Sequence, residues 1–136
     1  MDILHTMVEE GQERFWGYLG CRLISATEQE VKIGLTADEH HTNSMGIVHG
    51  GVLSSLMDQA MGMVATAAKK VDACVTTNLN VHYLSPMRKG ELTVTAKVVH
   101  MAGRSLTAEA FVHDAAGTLG CMATGSFRVI KPPAQS

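Results

Sequence analysis

The sequence predicts an α+β fold in which an antiparallel sheet wraps around one long central helix. Residues 50–68 repeat their apolar side chains at helical spacing and carry one charge, Asp58. From Cys74 onward the apolar period changes to two, and turn signals such as Gly103 and Gly117 separate the segments. A single apolar helix among strands buries its surface when the sheet curves around it.

The length and composition are typical of one cytoplasmic domain. The 136 residues are enough for a single domain, 1–136, with its own core. A net charge of −2 gives no general attraction to nucleic acid or to an anionic membrane. We therefore expect neither as a partner.

The cysteines and the apolar segments exclude other classes. Cys21, Cys74 and Cys121 are far apart and odd in number, which indicates reduced thiols rather than a disulfide framework. Residues 1–20 contain several acidic side chains and do not read as a signal peptide. The most apolar stretch, 61–68, is too short to span a bilayer.

The first half of the chain reads as a helix, a strand pair and a loop. A loose helical stripe runs over 3–18 and is expected to stop at Gly20, which gives an N-terminal helix within 1–20. Moderate alternation over 21–36 predicts two strands with a turn near Thr27–Glu30. Residues 37–48 then form a loop.

The second half reads as the central helix followed by four strands. Lys69 and Lys70 suit the C-terminal end of the helix. A strand starting at Cys74 closes at Ser85-Pro86, and three more follow at about 91–101, 104–114 and 118–130. Residues 131–136 are expected to be a loose tail. The predicted order is α-β-β-α-β-β-β-β.

The junction between the loop and the central helix carries the residues most typical of chemistry. Asn43 lies in the polar loop, and His49 and Gly50 stand at the predicted helix start. The unpaired N–H groups of a helix start can hold a developing oxyanion. Asp58, a lone carboxylate among apolar residues, is a candidate base or nucleophile. Together these features indicate acyl transfer or hydrolysis.

Helix geometry argues against a single-chain site. Asp58 follows His49 by nine residues, which turns the direction by about 180° and advances about 13.5 Å along a straight helix. Either one of the two residues is not functional, or the site is shared between two chains. The second reading fits the small residues around Asp58, which allow close approach of another backbone in a symmetric dimer. These are Ser54, Ser55, Gly62 and Ala65.

These residues also carry a family resemblance. The pattern Asn43-x5-His49-Gly50-Gly51-x6-Asp58 resembles the active-site segment of the hotdog-fold acyl-CoA thioesterases. It is most similar to the phenylacetate-pathway-type (PaaI-like) branch, which includes the thioesterase-superfamily-member-2-like proteins. The likeness covers roughly 20–130. It continues in the strand at 75–86 and in the turns at Lys89-Gly90-Glu91-Leu92, Gly103-Arg104-Ser105 and Gly117.

The resemblance implies a role for each residue of the motif. The Gly50 N–H would polarise the thioester carbonyl, while Asn43 and His49 would orient the thioester. Asp58 would act as a general base on water or as the nucleophile, and the sequence leaves that choice open. Thr76 would hold the attacking water, with the adjacent Thr77 as a competitor for this role.

The resemblance also implies an assembly and a substrate. Asp58 and Thr76 would come from one subunit and the other motif residues from its partner, in a homotetramer built as a dimer of dimers. The substrate would be an acyl-CoA, with no cofactor. Gly51, Arg88, Lys89 and Arg104 are candidates for substrate or CoA contacts, the three cations because they lie on predicted turns. Solvated surface charge is the alternative for each cation, and a simple helix cap is the alternative for Gly51.

Other chemistries find less support in the sequence. The remaining histidines form no metal-binding spacing, so no metal is assigned. A GxSxG elbow and a phosphate-binding glycine loop are absent. Two rival functions stay open: a hotdog hydratase or dehydratase, whose His-to-acid spacing this chain does not match, and a non-catalytic acyl-CoA-binding protein. The sequence does not distinguish aryl from medium-chain acyl groups.

Overall fold

The computed structural model describes residues 2–71 and 73–130 and confirms the predicted α+β architecture. The expected loose tail at 131–136 lies outside these residues. The helices are α1 (Asp2–Gly11), α2 (Phe15–Leu19) and α3 (Gly50–Lys69). The strands are β1 (Arg22–Ala26), β2 (Glu30–Ala37), β3 (Cys74–Tyr83), β4 (Gly90–Ala102), β5 (Ser105–Asp114) and β6 (Leu119–Val129).

The six strands form one antiparallel sheet in the order β1-β2-β4-β5-β6-β3. Hairpin turns join β4 to β5 and β5 to β6, as the glycines at 103 and 117 predict. β3 follows α3 in the chain but pairs with β6, so it is an edge strand of this sheet. α3 therefore connects β2 to β3 across one face of the sheet, and it contacts every strand from β2 to β6.

The core lies between α3 and the concave face of the sheet. The central strands present mostly small or branched side chains toward α3, which lets the curved sheet approach the helix closely. At Gly125 of β6 a Cβ atom would stand 3.0 Å from the methyl group of Met61, so even alanine is crowded there. The buried residues of α3 are Leu53, Leu56, Met57, Ala60, Met61, Met63, Val64, Ala65, Thr66 and Ala67.

The N-terminal segment differs from the single helix predicted over 3–18. It forms two helices, α1 and α2, that are separated by a turn at 12–14. Gly17 makes this turn possible, because a Cβ atom there would lie 1.8 Å from the carbonyl oxygen of Gln12. Burial of Trp16 and Leu19 against the core outweighs the continuation of the helical stripe. Gly20 ends α2 in the left-handed conformation, as predicted.

The loop at 37–48 contains a short 3-10 turn, Glu39–His41, that the sequence pattern did not predict. An extended loop would point His40 and His41 apart, but in this turn their ring centroids are 3.9 Å apart. His41 is buried, with Nδ1 accepting from the Asp38 N–H at 2.9 Å and Nε2 2.7 Å from the Leu19 carbonyl oxygen. With Nδ1 accepting, Nε2 carries the proton and donates, which ties this loop to the end of α2.

Candidate active site

The loop before α3 is held in shape by Asn43. Its Oδ1 accepts hydrogen bonds from the Met45 N–H at 2.9 Å and the Ile47 N–H at 3.4 Å. The His49 N–H donates to the His41 carbonyl at 2.9 Å, which fixes the residue just before the helix. Asn43 therefore uses its acceptor to shape the loop. Its Nδ2 donates to no other group in the described part of the chain, so the amide N–H remains free for a ligand.

His49 is the N-cap of α3. Its Nδ1 accepts from the Gly51 N–H at 2.8 Å, so the Gly51 N–H is already occupied. Gly50 is the first residue of the helix and its N–H has no intrahelical partner. Within residues 2–71 and 73–130, no acceptor takes the Gly50 N–H. The helix start thus presents one unused backbone donor at Gly50.

Tyr83, at the end of β3, covers Gly50 and was not singled out from the sequence. The Tyr83 hydroxyl donates to the Gly50 carbonyl at 2.9 Å. A Cβ atom on Gly50 would lie 3.2 Å from the Tyr83 ring, so glycine permits this close packing. Asn43, Gly50 and Tyr83 line one concavity of about 350 Å³. An aromatic residue ending the strand after the helix was the only sequence signal for this contact.

Asp58 and Thr76 form a second pair, on the other side of α3. The Thr76 hydroxyl donates to Asp58 Oδ1 at 2.7 Å. Thr77, the competitor of Thr76 for holding the attacking water, instead donates to the Ser126 carbonyl at 3.1 Å. The pairing of β3 with β6 shifts register between Thr76 and Asn78, so Thr77 is the extra residue of a β-bulge. The structure therefore selects Thr76 as the partner of Asp58.

The bulge also explains how Thr76 reaches the helix side of the sheet. Regular alternation would put Thr76 on the same face as Asn78, opposite to Leu79. Because Thr77 is one extra residue, the alternation shifts by one position after it. Thr76 therefore faces the helix before the bulge, and Leu79 and the odd-numbered residues that follow face it after the bulge. Leu79 packs against the core, and Tyr83 contacts Gly50. One strand thereby contributes to both concavities.

The Asp58–Thr76 pair lies in a cavity of about 340 Å³ between α3, β3 and the N-terminal helices. Asp58 is half-buried at its wall, and the remaining lining is largely apolar. The sequence analysis did not include Trp16 or Gln59 among the residues near Asp58. For Trp16 the reason is that helical periodicity does not say which other helix covers a distant carboxylate. The lining residues are Met7, Val8, Trp16, Asp58, Gln59, Gly62, Met63, Thr66, Ala73, Cys74, Thr76 and Phe127.

Four of the predicted site residues, together with Tyr83, thus form two half-sites within one chain. Half-site A consists of Asn43, Gly50 and Tyr83, and half-site B consists of Asp58 and Thr76. Gly50 and Asp58 are eight residues apart on the same helix, which corresponds to about 12 Å of rise. The two half-sites line different concavities, in agreement with the helix geometry expected from the sequence.

The three candidate cations do not form one cluster. Lys89 pairs with Glu39 at 2.6 Å, and the hydrogen bond and charge of Glu39 raise the pKa of the Lys89 ammonium. Arg88 is next to Met87, whose carbonyl accepts from the Val48 N–H near the start of α3. Arg104 follows Gly103, whose carbonyl accepts from Lys69 at the far end of α3. Arg88 and Lys89 therefore lie at the Gly50 end of the helix, and Arg104 lies at the opposite end.

The sequence profile of the thioesterase superfamily matches residues 45–121, which is more than half of the chain. The chain belongs to the thioesterase superfamily. The matched segment contains Gly50, Asp58 and Thr76, and it begins just after Asn43. Hydrolysis of a thioester is therefore the general reaction of this hydrolase.

Two relatives of this thioesterase superfamily member illustrate the range of similarity. A Halobacterium salinarum protein, provisionally named an esterase, is 35% identical, with the alignment covering 84% of this chain and 83% of that protein. Human acyl-coenzyme A thioesterase 13 is 32% identical over a shorter stretch, which covers 57% of this chain and 56% of the human protein.

The fold has clear counterparts among solved structures. The E. coli PaaI protein from the phenylacetic acid degradation operon superposes with a TM-score of 0.85 at 24% identity. The superposition covers 96% of this chain and 92% of that one. This likeness confirms the hotdog arrangement that the sequence resemblance implies.

Across residues 2–71 and 73–130, no three His, Cys, Asp or Glu side chains come together in a group that could hold a metal ion. None of the helices that the structure describes is both long and apolar enough to cross a bilayer.

Proposed function

We propose that this thioesterase hydrolyses acyl-CoA at a site completed by two copies of the chain. Half-site A of one copy would polarise the thioester carbonyl, and half-site B of the other would deliver the nucleophile. The observation that carries this proposal is the separation of the unused Gly50 N–H from the Asp58–Thr76 pair within one chain. The name of human acyl-coenzyme A thioesterase 13 supports the substrate class.

Half-site A is suited to hold negative charge on the carbonyl oxygen. When a nucleophile adds to the thioester carbon, that oxygen becomes an oxyanion and needs a fixed donor. The Gly50 N–H supplies one, and the positive end of the α3 dipole adds to its effect. His49 and Asn43 keep this donor in place through the cap on Gly51 and the loop bonds to Met45 and Ile47. Asn43 Nδ2 is a second donor for the thioester or its neighbouring groups.

Half-site B is suited to activate water. Thr76 donates to Asp58 Oδ1 and so fixes the carboxylate, which leaves Oδ2 to take a proton. On the base route, Asp58 removes a proton from water as the water oxygen attacks the thioester carbon. The tetrahedral intermediate then expels the CoA thiolate, and the proton passes from Asp58 to the sulfur. The products are the free acid and CoA.

The nucleophile route uses the same carboxylate. Asp58 Oδ2 attacks the thioester carbon, the C–S bond breaks, and a mixed anhydride forms between Asp58 and the acyl group. Water then hydrolyses the anhydride and restores the carboxylate. Single turnover in ¹⁸O-water with enzyme in excess tests this route. When water attacks the aspartyl carbon of the anhydride and expels the free acid, the Asp58 carboxylate gains the label, which does not occur on the base route.

A symmetric dimer would form two such sites, since each copy contributes one half-site A and one half-site B. Further pairing of dimers, as the family resemblance implies, would give a homotetramer. Arg88 and Lys89 lie at the same helix end as Gly50 and would meet the CoA phosphates there, whereas Arg104 would do so only from the other copy. Because Glu39 already neutralises Lys89, we expect Arg88 to contribute more.

The first test is thiol release from a panel of aryl and aliphatic acyl-CoAs, with wild type and Asp58→Asn compared directly. The asparagine keeps the shape but cannot act as base or nucleophile, so we expect turnover to fall at least about 100-fold without loss of fold. A folded Asp58→Asn protein with wild-type turnover would rule out this role. Release of no thiol from any panel member would refute the acyl-CoA assignment.

Mixing two inactive variants tests whether the site is shared. Asp58→Asn retains half-site A, and Gly50→Pro, which removes the N–H, retains half-site B. After co-refolding in equal amounts, random pairing would restore about one quarter of wild-type activity if each site uses both chains. A mixture that stays as inactive as its components would contradict the shared site.

A further inference from the structure

We propose that Gly62 determines how broad an acyl group this thioesterase accepts next to the reacting carbonyl. This inference rests on the proposed function, because it assigns the cavity beside Asp58 to the acyl group. The missing side chain at Gly62 would leave room for a branched or cyclic aliphatic acyl group, where alanine would favour a straight chain. Gly62 would therefore determine specificity without taking part in bond breaking.

The observation behind this proposal is a glycine that the fold does not require. All 13 glycines of the chain lie among the residues that the structure describes. Gly62 alone among them has neither a positive φ nor a neighbour closer than 3.4 Å to the place where a Cβ atom would stand. A Cβ atom on Gly62 would lie 3.6 Å from Phe127 Cε2, which is an ordinary van der Waals distance.

Glycine at this position also lowers the stability of the helix. Gly62 lies inside α3, where alanine would lose less conformational freedom on folding. The Thr66 hydroxyl donates to the Gly62 carbonyl at 2.8 Å, which holds the backbone in place, so flexibility does not explain the glycine. The loss of helix stability therefore indicates a use for the empty space next to Gly62.

The space that a side chain would occupy belongs to the cavity beside Asp58. Gly62 and Phe127 both line this cavity, and Gly62 is only half-buried. Apart from the adjacent residues and the helix backbone itself, Phe127 Cε2 is the one atom of the described chain within 4 Å of the Cβ position. The rest of the Cβ surface would face the open cavity rather than packed protein.

Gly62 is placed where an acyl group would extend from the reacting carbon. It follows Asp58 by four residues, so it lies on the same face of α3, about 6 Å further along the helix. The other walls consist largely of apolar side chains such as Met7, Val8 and Met63. The part of the substrate beside Gly62 is therefore expected to be hydrocarbon.

A single carbon atom in this position should have a measurable effect. One methylene more or less in a hydrophobic pocket changes the discrimination between substrates by about 10–200-fold. The alanine methyl group would occupy the space that a branch or a ring needs, whereas a straight chain can pass beside it. The effect of Gly62→Ala should therefore depend on the breadth of the acyl group.

The test compares acyl-CoAs that have the same number of carbon atoms but differ in breadth. The pairs are 3-methylbutanoyl with pentanoyl, and cyclohexylacetyl with octanoyl. Wild type should hydrolyse both members of at least one pair. In that pair, Gly62→Ala should lower the ratio of kcat/KM for the broad member to kcat/KM for the straight member by about ten-fold.

Ser54→Ala is the matched control. Ser54 precedes Asp58 by four residues, as Gly62 follows it by four, but Ser54 does not line the cavity. Both variants place alanine, the best helix former, in α3, so Tm should rise by about 3 °C for Gly62→Ala and less for Ser54→Ala. The ratio should change for Gly62→Ala alone. A merely structural role of Gly62 would not combine a higher Tm with an altered specificity.

Binding of ketone analogues separates this inference from the proposed function. In these analogues a methylene replaces the sulfur of the acyl-CoA, so they bind without being hydrolysed. Titration calorimetry should show that Gly62→Ala weakens binding of the cyclohexylacetyl analogue by about ten-fold relative to the octanoyl analogue. This holds even if thiol release fails for every acyl-CoA, in which case the proposed function falls and the role of Gly62 in binding remains.

The inference is overturned by any of four results. One is a Gly62→Ala protein that keeps the wild-type ratio in turnover and in binding, and another is a wild type that hydrolyses only the straight members. A third is an equal loss for broad and straight members, which would mean that the methyl group disturbs Asp58 instead. The fourth is a change in the oligomeric mass of Gly62→Ala in light scattering, which would mean that Gly62 makes room for a second copy.

Discussion

Replacing Thr76 by valine tests the link between half-site B and turnover. The change removes one hydroxyl and keeps the β-branched shape, so the strand and its bulge should persist. What is lost is the 2.7 Å hydrogen bond from the Thr76 hydroxyl to Asp58 Oδ1. Without it, the carboxylate is free to rotate, and its orientation toward the water is no longer fixed.

The expected size follows from the environment of this bond. Hydrogen bonds to charged groups contribute about 1.5–3 kcal/mol. Thr76 is exposed and Asp58 is half-buried, so the lower end applies, about 1.5 kcal/mol. If this whole free energy stabilises the transition state and not the bound substrate, its loss lowers kcat about ten-fold. KM should change little, because the bond does not contact the CoA part of the substrate.

The assay is thiol release with saturating acyl-CoA, using Thr77→Val as the matched control. Thr77 is the adjacent bulge residue and donates to Ser126 instead, so its variant should keep wild-type kcat. In the Asp58→Asn background, adding Thr76→Val should have almost no further effect, since the two residues act as a unit. The reasoning fails if Thr76→Val retains wild-type kcat or if the two effects in the cycle are additive.

Three further predictions concern the helix start, the loop and the buried thiols. Gly50→Pro removes the N–H that Gly50→Ala keeps, so its kcat should be lower than that of the alanine variant by about 100-fold, and equal values would exclude the oxyanion role. His41→Asn cannot reach the Leu19 carbonyl and should lower the free energy of unfolding in urea by about 1–3 kcal/mol; an unchanged value would show that this bond is not important. Burial raises the pKa of the Cys21 and Cys121 thiols to about 11. The unfolded chain releases these protons near its ordinary pKa of about 9, so the folded state holds more protons between these values and stability should fall as pH rises through that window. Thermal unfolding at several pH values should show this slope, and alanine at both cysteines should flatten it.

The regular elements were predictable because each depends on local pattern. Residues 50–68 have the helical apolar period, and Gly50 and Lys69 bound the observed helix at nearly the predicted positions. The hairpins near Gly103 and Gly117 follow from turn chemistry, since both glycines have positive φ angles. The spacing of His49 and Asp58 also indicated, without any structure, that one chain does not bring the two together.

The failures occurred where a distant contact decided the local conformation. The stripe at 3–18 breaks because Trp16 and Leu19 find burial against other elements, and Gly17 allows the tight turn. The 3-10 turn at 39–41 forms because His41 reaches the Leu19 carbonyl, 22 positions earlier in the chain. Neither partner is visible in a window of ten or so residues.

The sequence by itself indicated the fold class, most of the regular elements and the half-site residues other than Tyr83. These depend on period, on turn residues and on a motif of fixed spacing. Tertiary structure alone decided that Thr76 rather than Thr77 meets Asp58, because a one-residue bulge against β6 reverses which face each side chain occupies. It also decided that Trp16 enters the wall of the cavity beside Asp58, because that position results from packing between elements distant in the chain.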